Sequence, residues 1–405
     1  MRALPGLVLA LVLVASAGAA AAPRFELVAH LDLPRHYTGD VVGHRGFAYV
    51  SSHRGSDSCL ALGVRVVDVR NPRRPRLVSS FARVARTFTE KAIIRRVATR
   101  SFRGDLAVTS FQRCTPSAFQ GFGVYDVTNP RRPRELARVR LDPRGSHEIW
   151  LATARGRAWV YTAILRSEQL TGDPGFRIYD VTNPRAPRQV GSWGLSAIGV
   201  DPRPAGPAFD GDFVHSVITN ADATRAYLSY WDRGTVFLDV SDPTRPRYLG
   251  RTDPPEGHAH SAWLRGSLLV ETHETTNGHP TVYDVSDATR PQKLADVLLP
   301  ATLQPGGRMG GTPSFDLTNS VHDPKLVGDI GLFSWYSQGV VAFDLSNPQA
   351  PRFLARFLPT PKRDPESLAC GGRRCVAVWG VFRQPDGTIL ASDIVSGLWV
   401  LRLRA

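Results

Sequence analysis

The chain has 405 residues, 42% of them apolar and 21% charged, and a formal net charge of +14. Its 36 glycines and 31 prolines are spread along the whole length, which means abundant turns and excludes a long disordered tail. Lysine is scarce, so the positive charge is nearly all arginine, and no aromatic residues interleave with the arginine clusters as a nucleic-acid surface requires.

The first residues read as an export signal. Arg2 gives a positive start, Leu7 to Val14 is an apolar run, and Ala15 to Ala22 is a small-residue stretch suited to a signal peptidase. That run is shorter than the roughly 20 residues a membrane helix needs. Residues 1–22 are therefore expected to be removed, leaving a mature chain from Pro23. No cysteine near that point offers a lipid anchor, and no later segment is apolar enough to form a transmembrane segment. The four cysteines, an even count, suit an oxidising compartment outside the cytoplasm.

From there one unit recurs: an apolar strand, Asp, an aliphatic residue, then a turn rich in Asn, Pro and Arg. It appears as Val66-Val67-Asp68-Val69, Val124-Tyr125-Asp126-Val127, Ile178-Tyr179-Asp180-Val181 and Phe237-Leu238-Asp239-Val240. Two looser copies follow at Val282-Tyr283-Asp284-Val285 and Ala342-Phe343-Asp344-Leu345. The six aspartates lie 58, 54, 59, 45 and 60 residues apart, room for a four-stranded antiparallel blade and its loops. Asn or Asp starts each turn by bonding its own backbone. A second proline (Pro75, Pro133, Pro187, Pro246, Pro291, Pro351) opens the next strand, which lacks a ladder N–H there and is expected at the blade's outer edge. A seventh copy at Gly397–Arg402 ends before any outer strand, while Phe25–Leu31 resembles the outer strand Arg134–Val139. The spacing thus predicts an all-β, seven-bladed β-propeller, one domain over residues 23–405, whose last blade is closed by the N-terminal strand.

The motif resembles the LVIVD repeat, aliphatic–aromatic–Asp–Val–Ser/Thr–Asn/Asp–Pro–x–x–Pro, with Phe237 to Gly250 its cleanest copy. The copy at Asp287-Ala288 loses the first proline, and the C-terminal copy loses the turn. The resemblance implies a bacterial secreted or surface propeller and carries no single reaction or catalytic residue.

Propeller connectivity sorts the chain onto two faces. The arginine turns (Arg73, Arg74, Arg131, Arg132, Arg185, Arg245) belong to one. The long connections 86–93, 194–211, 300–320 and 359–372 belong to the other, where sites usually lie. On that face His147, His215, His260 and His322 each open an inner strand, so their imidazoles are expected around one mouth of the axial channel. Glu148 and Asp323 are their neighbours, His258 precedes His260, and Glu271, His273 and Glu274 end a second strand nearby. Imidazoles converging with carboxylates are what zinc, copper or iron requires. Histidines at inner-strand starts also serve simply to bond neighbouring backbone, and inheritance from one ancestral repeat would copy them for that reason. Against it, the same alignment puts Tyr37, Arg96 and Val378 in the remaining blades, and asymmetric polarity is how a repeat protein builds a site.

Tyr230 and Trp231 with Asp232, and Trp335 with Tyr336, are candidate platforms for a sugar-like ligand. Cys59 and Cys114 occupy matching loops of adjacent blades, and Cys370 and Cys375 flank a short loop; both pairs are expected as disulfides. There is no GxSxG elbow, phosphate loop, dinucleotide fingerprint or HExxH helix. Together these features favour a monomeric, extracytoplasmic scaffold that binds a protein, small-molecule or cell-wall ligand on its long-loop face, and they do not favour an enzyme. The alternatives are a metal-dependent oxidase or hydrolase using the histidine arc, and a cell-wall or carbohydrate binder using the arginine rim.

Overall fold

A computed structural model describes residues 22–33, 37–54, 61–204, 210–253, 257–303, 319–364, 367 and 369–404. The expected signal segment falls almost wholly outside them. Among the described residues no helix is long and apolar enough to cross a membrane.

Seven four-stranded antiparallel blades form the ring. Their inner strands are Thr38–His44, Ala92–Ala98, Ile149–Ala154, Val214–Thr219, Ala259–Arg265, Asp323–Val327 and Val378–Arg383, for blades one to seven in that order. Middle strands such as Leu268–His273 are buried end to end, because each blade packs between two others and has no solvent face.

Closure follows the sequence expectation. Strand Arg24–Leu31 pairs antiparallel with Gly397–Arg404, setting Phe25 opposite Leu403 and Leu31 opposite Leu398. The split blade shares a device with the other six. In each blade the outer strand slips by one residue against its neighbour, and the residue left unpaired is aliphatic: Val78, Leu136, Val190, Leu249, Leu294, Leu354 and, in the clasp strand, Val28. Each of these side chains packs half-buried against a core cluster. The bulge turns an apolar side chain inward from a strand that is otherwise charged and exposed, and the local kink follows the blade's twist.

The repeat aspartate now has a mechanical role. Its Oδ1 accepts the backbone N–H two residues on in all six turns, at Arg70, Thr128, Thr182, Ser241, Ser286 and Ser346. In five of the six its Oδ2 takes an arginine: Arg70 and Arg131 at Asp68, Arg134 at Asp126, Arg157 at Asp180, Arg247 at Asp239 and Arg352 at Asp344. Part of the arginine rim is therefore internal bracing. The turn amides, with these arginines, hold the Asp239 and Asp344 carboxyls down at about 2. A carboxyl depressed in the folded state stabilises the protein above its unfolded value, and that stability is lost as pH falls from 3.8 to about 2. In acid unfolding followed by circular dichroism, D239N/D344N should flatten the dependence of stability on pH in this window, by a small amount because water screens both exposed pairs.

The Cys370–Cys375 disulfide is formed. Cys114 is disulfide-bonded, and its expected partner Cys59 lies outside the described residues.

Candidate metal centre

Strand pairing fixes which residues share a level around the axis. Ser216 pairs with Ser229, Ser261 with Thr272 and Asp323 with Ser334, each one residue after its histidine. His147 and Glu148 stand at the same level in blade three, tied to Ala163 by backbone bonds. Extending that register puts Lys91, bonded to Ser110, in blade two and Gly380, opposite Ser392, in blade seven. The ring of residues before them therefore reads Gly39, Glu90, His147, His215, His260, His322 and Trp379.

Three sequence expectations are corrected here. Blade two contributes Glu90, not Arg96. Arg96 stands six positions further along, beyond the channel's midpoint, where it pairs with Asp105 at 3.5 Å. Blade one contributes Gly39, not Tyr37, whose buried hydroxyl donates to Asp364 at 2.7 Å. Blade seven contributes Trp379, whose ring centroid lies 4.1 Å from that of His322, in place of Val378.

The four imidazoles do form an arc. Successive ring centroids are 4.4, 4.2 and 4.1 Å apart from His147 through His215 and His260 to His322. Their orientation comes from the neighbouring blade. His215 donates from Nδ1 to the carbonyl of His260 at 3.0 Å, and His260 donates from Nδ1 to the carbonyl of His322 at 2.9 Å. A carbonyl only accepts, so both rings are fixed with the proton on Nδ1 and the lone pair on Nε2. This is the arrangement that outer hydrogen bonds impose on metal-binding histidines. Ligand atoms of His215, His260 and Glu274 all lie within 4.8 Å of one another. Glu274 commits one oxygen to the hydroxyl of Tyr336 and keeps Oε2 at 3.7 Å from His260 Nε2. His147 Nε2 stands 2.9 Å from His215 Nε2, while its Nδ1 meets the Gln112 side chain at 2.8 Å. Two nitrogens bound to one ion at about 2.0–2.1 Å lie about 3 Å apart or a little more.

Burial shapes the charge here. Desolvation holds the imidazoles of His215, His260 and His322 well below the usual histidine range and that of His147 at about 3, with neighbouring histidines and Lys91 adding to it. All four are neutral donors at physiological pH. Burial pushes the carboxyl of Glu274 up to about 8 and that of Glu90 well above its usual range. Among the described residues Glu90 Oε1 is buried with no hydrogen-bond partner, a state that costs free energy unless a ligand supplies one.

Other candidates are placed elsewhere. His273 bonds Glu271 at 2.8 Å, and Glu271 reaches Thr235 and Thr252 of the preceding blade; this buried pair stitches blades four and five. His258 stacks on Trp231 with its Nε2 3.5 Å from Asp232, off the axis. Trp231 is buried behind His215 at a centroid distance of 5.0 Å. Tyr230 donates to Glu168, and Trp335 Nε1 donates to the carbonyl of Asn319. All three aromatic side chains are buried, so none is a platform for a sugar.

Beneath the histidine level lies a layer that spacing did not single out as a unit. Lys91 Nζ is 2.6 Å from Glu148, 3.6 Å from Asp40 and 4.0 Å from Asp323, and Asp323 also holds Lys325. Blade two thus reaches blades one, three and six across the axis. Burial opposes the Lys91 ammonium, but the attraction of Asp323, Glu148 and Asp40 outweighs it and holds its pKa above the ordinary value. Three carboxyls face two lysines here, and burial pushes that of Glu148 up to about 7 and raises that of Asp40 as well. Gly380 is required at this level, because a Cβ there would stand 2.3 Å from Asp40 Oδ1.

No protein-family model matches the chain, and no curated protein does. Among solved structures it resembles Raptor of Chaetomium thermophilum, with a TM-score of 0.61 at 12% identity over 94% of this chain. The match spans 29% of the Raptor chain. It also resembles the computationally designed Ika8 protein, with a TM-score of 0.52 at 9% identity over 92% of this chain and 98% of that one. Likeness at these identities concerns the fold alone, and the fold is the β-propeller.

Proposed function

We propose that this chain is a metal-dependent propeller of the LVIVD-repeat type, exported from the cytoplasm, that holds one zinc, iron or copper ion at its long-loop mouth. The single observation carrying this reading is the convergence of His215, His260 and Glu274, all buried, with both imidazole lone pairs fixed towards the shared space by bonds to the next blade. The reading departs from a purely structural role for the histidines. Backbone bracing of His215 and His260 uses only their Nδ1 atoms and needs no carboxylate beside their Nε2 atoms; the 2.9 Å contact of His147 Nε2 with His215 Nε2 is a hydrogen bond that a bound ion would replace. Two nitrogens and one oxygen from protein leave a coordination position open, and an ion so held polarises a bound carbonyl or acidifies a bound water. His147 is the partly exposed member of the arc, which places the approach of a small ligand on its side. Export is supported by the signal-like residues 1–22 and by the disulfides.

The test is metal content by mass spectrometry, with Co(II) titration followed by visible absorption. About one ion per wild-type chain is expected, with affinity at least tenfold weaker in H260A and no Co(II) spectrum in H215A/H260A that retains its strand signal. Absence of a stoichiometric ion in wild type, or unchanged binding in the double variant, would sink the reading.

A further inference from the structure

The channel opens again beyond the lysine–carboxylate layer, on the arginine-turn face, as a cavity of about 730 Å³. That is the size of an ordinary small-molecule site. Its walls come from the far ends of the inner strands, where Val42, Ile93, Val327 and Phe382 supply apolar surface. At its base Trp150 and Trp263 meet edge to face with centroids 5.9 Å apart. Each carries a cation: Arg95 lies 5.0 Å from the centroid of Trp150, and Lys325 lies 4.6 Å from that of Trp263.

Cations outnumber carboxylates in the cavity lining, where Asp40 belongs to the layer below and Asp386 bonds Thr388 of its own turn. Arg45 and Arg96 share Asp105, Arg70 is held by Asp68, and Lys91 and Lys325 are committed to the layer below. Arg95 and Arg383 line the cavity from blades two and seven, and among the described residues neither side chain makes an ion pair or hydrogen bond. Arg95 reaches water inside the channel, yet enclosure by protein lowers its pKa below the usual arginine value. A water-exposed guanidinium held against an indole inside a channel mouth is placed to take an acceptor, because its planar fork suits a carboxylate, sulfonate or phosphate.

We infer that this second cavity binds a small organic anion with a flat apolar body, its acidic group on Arg95 and its ring against Trp150 and Trp263. The site is independent of the metal centre and stands or falls separately from it.

Isothermal titration calorimetry of the full chain with naphthalene-2-carboxylate tests it, beside the neutral 2-naphthalenemethanol and inorganic phosphate. Saturable one-to-one binding of the naphthoate is expected, at least tenfold weaker for the alcohol and for phosphate alone. R95Q, a change inside open channel space that leaves the core intact, should weaken the naphthoate at least tenfold, and R73Q on the turn face should leave it unchanged. No saturation, equal affinity for acid and alcohol, or an unaffected R95Q would overturn the assignment. Phosphate binding as tightly as the naphthoate would overturn the aromatic part of it.

Discussion

Replacing Lys91 by methionine is expected to destabilise the ring by about 3–5 kcal/mol, the range for removing one partner of a buried ion pair. The side chain is buried, and it holds together carboxylates from three other blades. Without it Asp40, Glu148 and Asp323 face one another with only Lys325 as counter-charge. Desolvation then favours protonating them, and whatever remains ionised repels. Guanidinium denaturation of wild type and K91M measures the loss. The companion variant K91M/E148Q removes one of the stranded carboxylates and should recover part of it. An unchanged midpoint for K91M would show that the layer does not brace the ring, and K91M/E148Q no better than K91M would show that packing rather than charge was lost.

Deleting Arg24–Leu31 should be more severe. The strand contributes half-buried Phe25, Val28 and Leu31 to two core clusters. His30 stacks on Trp399 at 3.9 Å and bonds the carbonyl of Ser396 at 2.6 Å, and Glu26 meets Arg404. Three apolar side chains at roughly half of 1.5–3 kcal/mol each, plus a set of ladder bonds at about 0.5–1.5 kcal/mol each, put the loss above about 5 kcal/mol. The bared edge of Gly397–Arg404 also becomes a template for intermolecular pairing. The deleted chain is expected to aggregate on purification, and a synthetic peptide spanning residues 22–33, added during refolding, should restore a monomeric elution volume. A deletion variant with wild-type melting behaviour would mean that the clasp is ornamental.

What could be read from sequence divides along one line. Turns and strand order are local, so six Asp–turn–Pro copies and one split copy sufficed for blade number and closure. The four histidines were legible because each begins a strand of plain repeat spacing. Glu90 and Trp379, their neighbours in the ring, were hidden for different reasons. Blade two carries an extra pairing, Thr87–Phe88 with Gln112–Arg113, ahead of its inner strand, which moved the apparent start by six residues to Arg96. In blade seven the ring position holds an indole, so nothing in residue type marked it. The lysine–carboxylate layer depends on which side chains cross the axis, and the Arg95 cavity on which guanidiniums lack an acid. Both are properties of three-dimensional neighbours that no spacing encodes. The bulge at Val28, Val78 and their counterparts was unseen too, because a one-residue slip leaves the alternation of a short charged strand readable either way.

The layer built on Lys91 has a further consequence for the shape of the molecule. A propeller's axis is often pictured as a pipe, but here salt-linked side chains from four blades reach into the bore at mid-height. Charge from these blades meets across the bore between its two mouths, so loops on one rim are free to diversify without touching the residues that face the other.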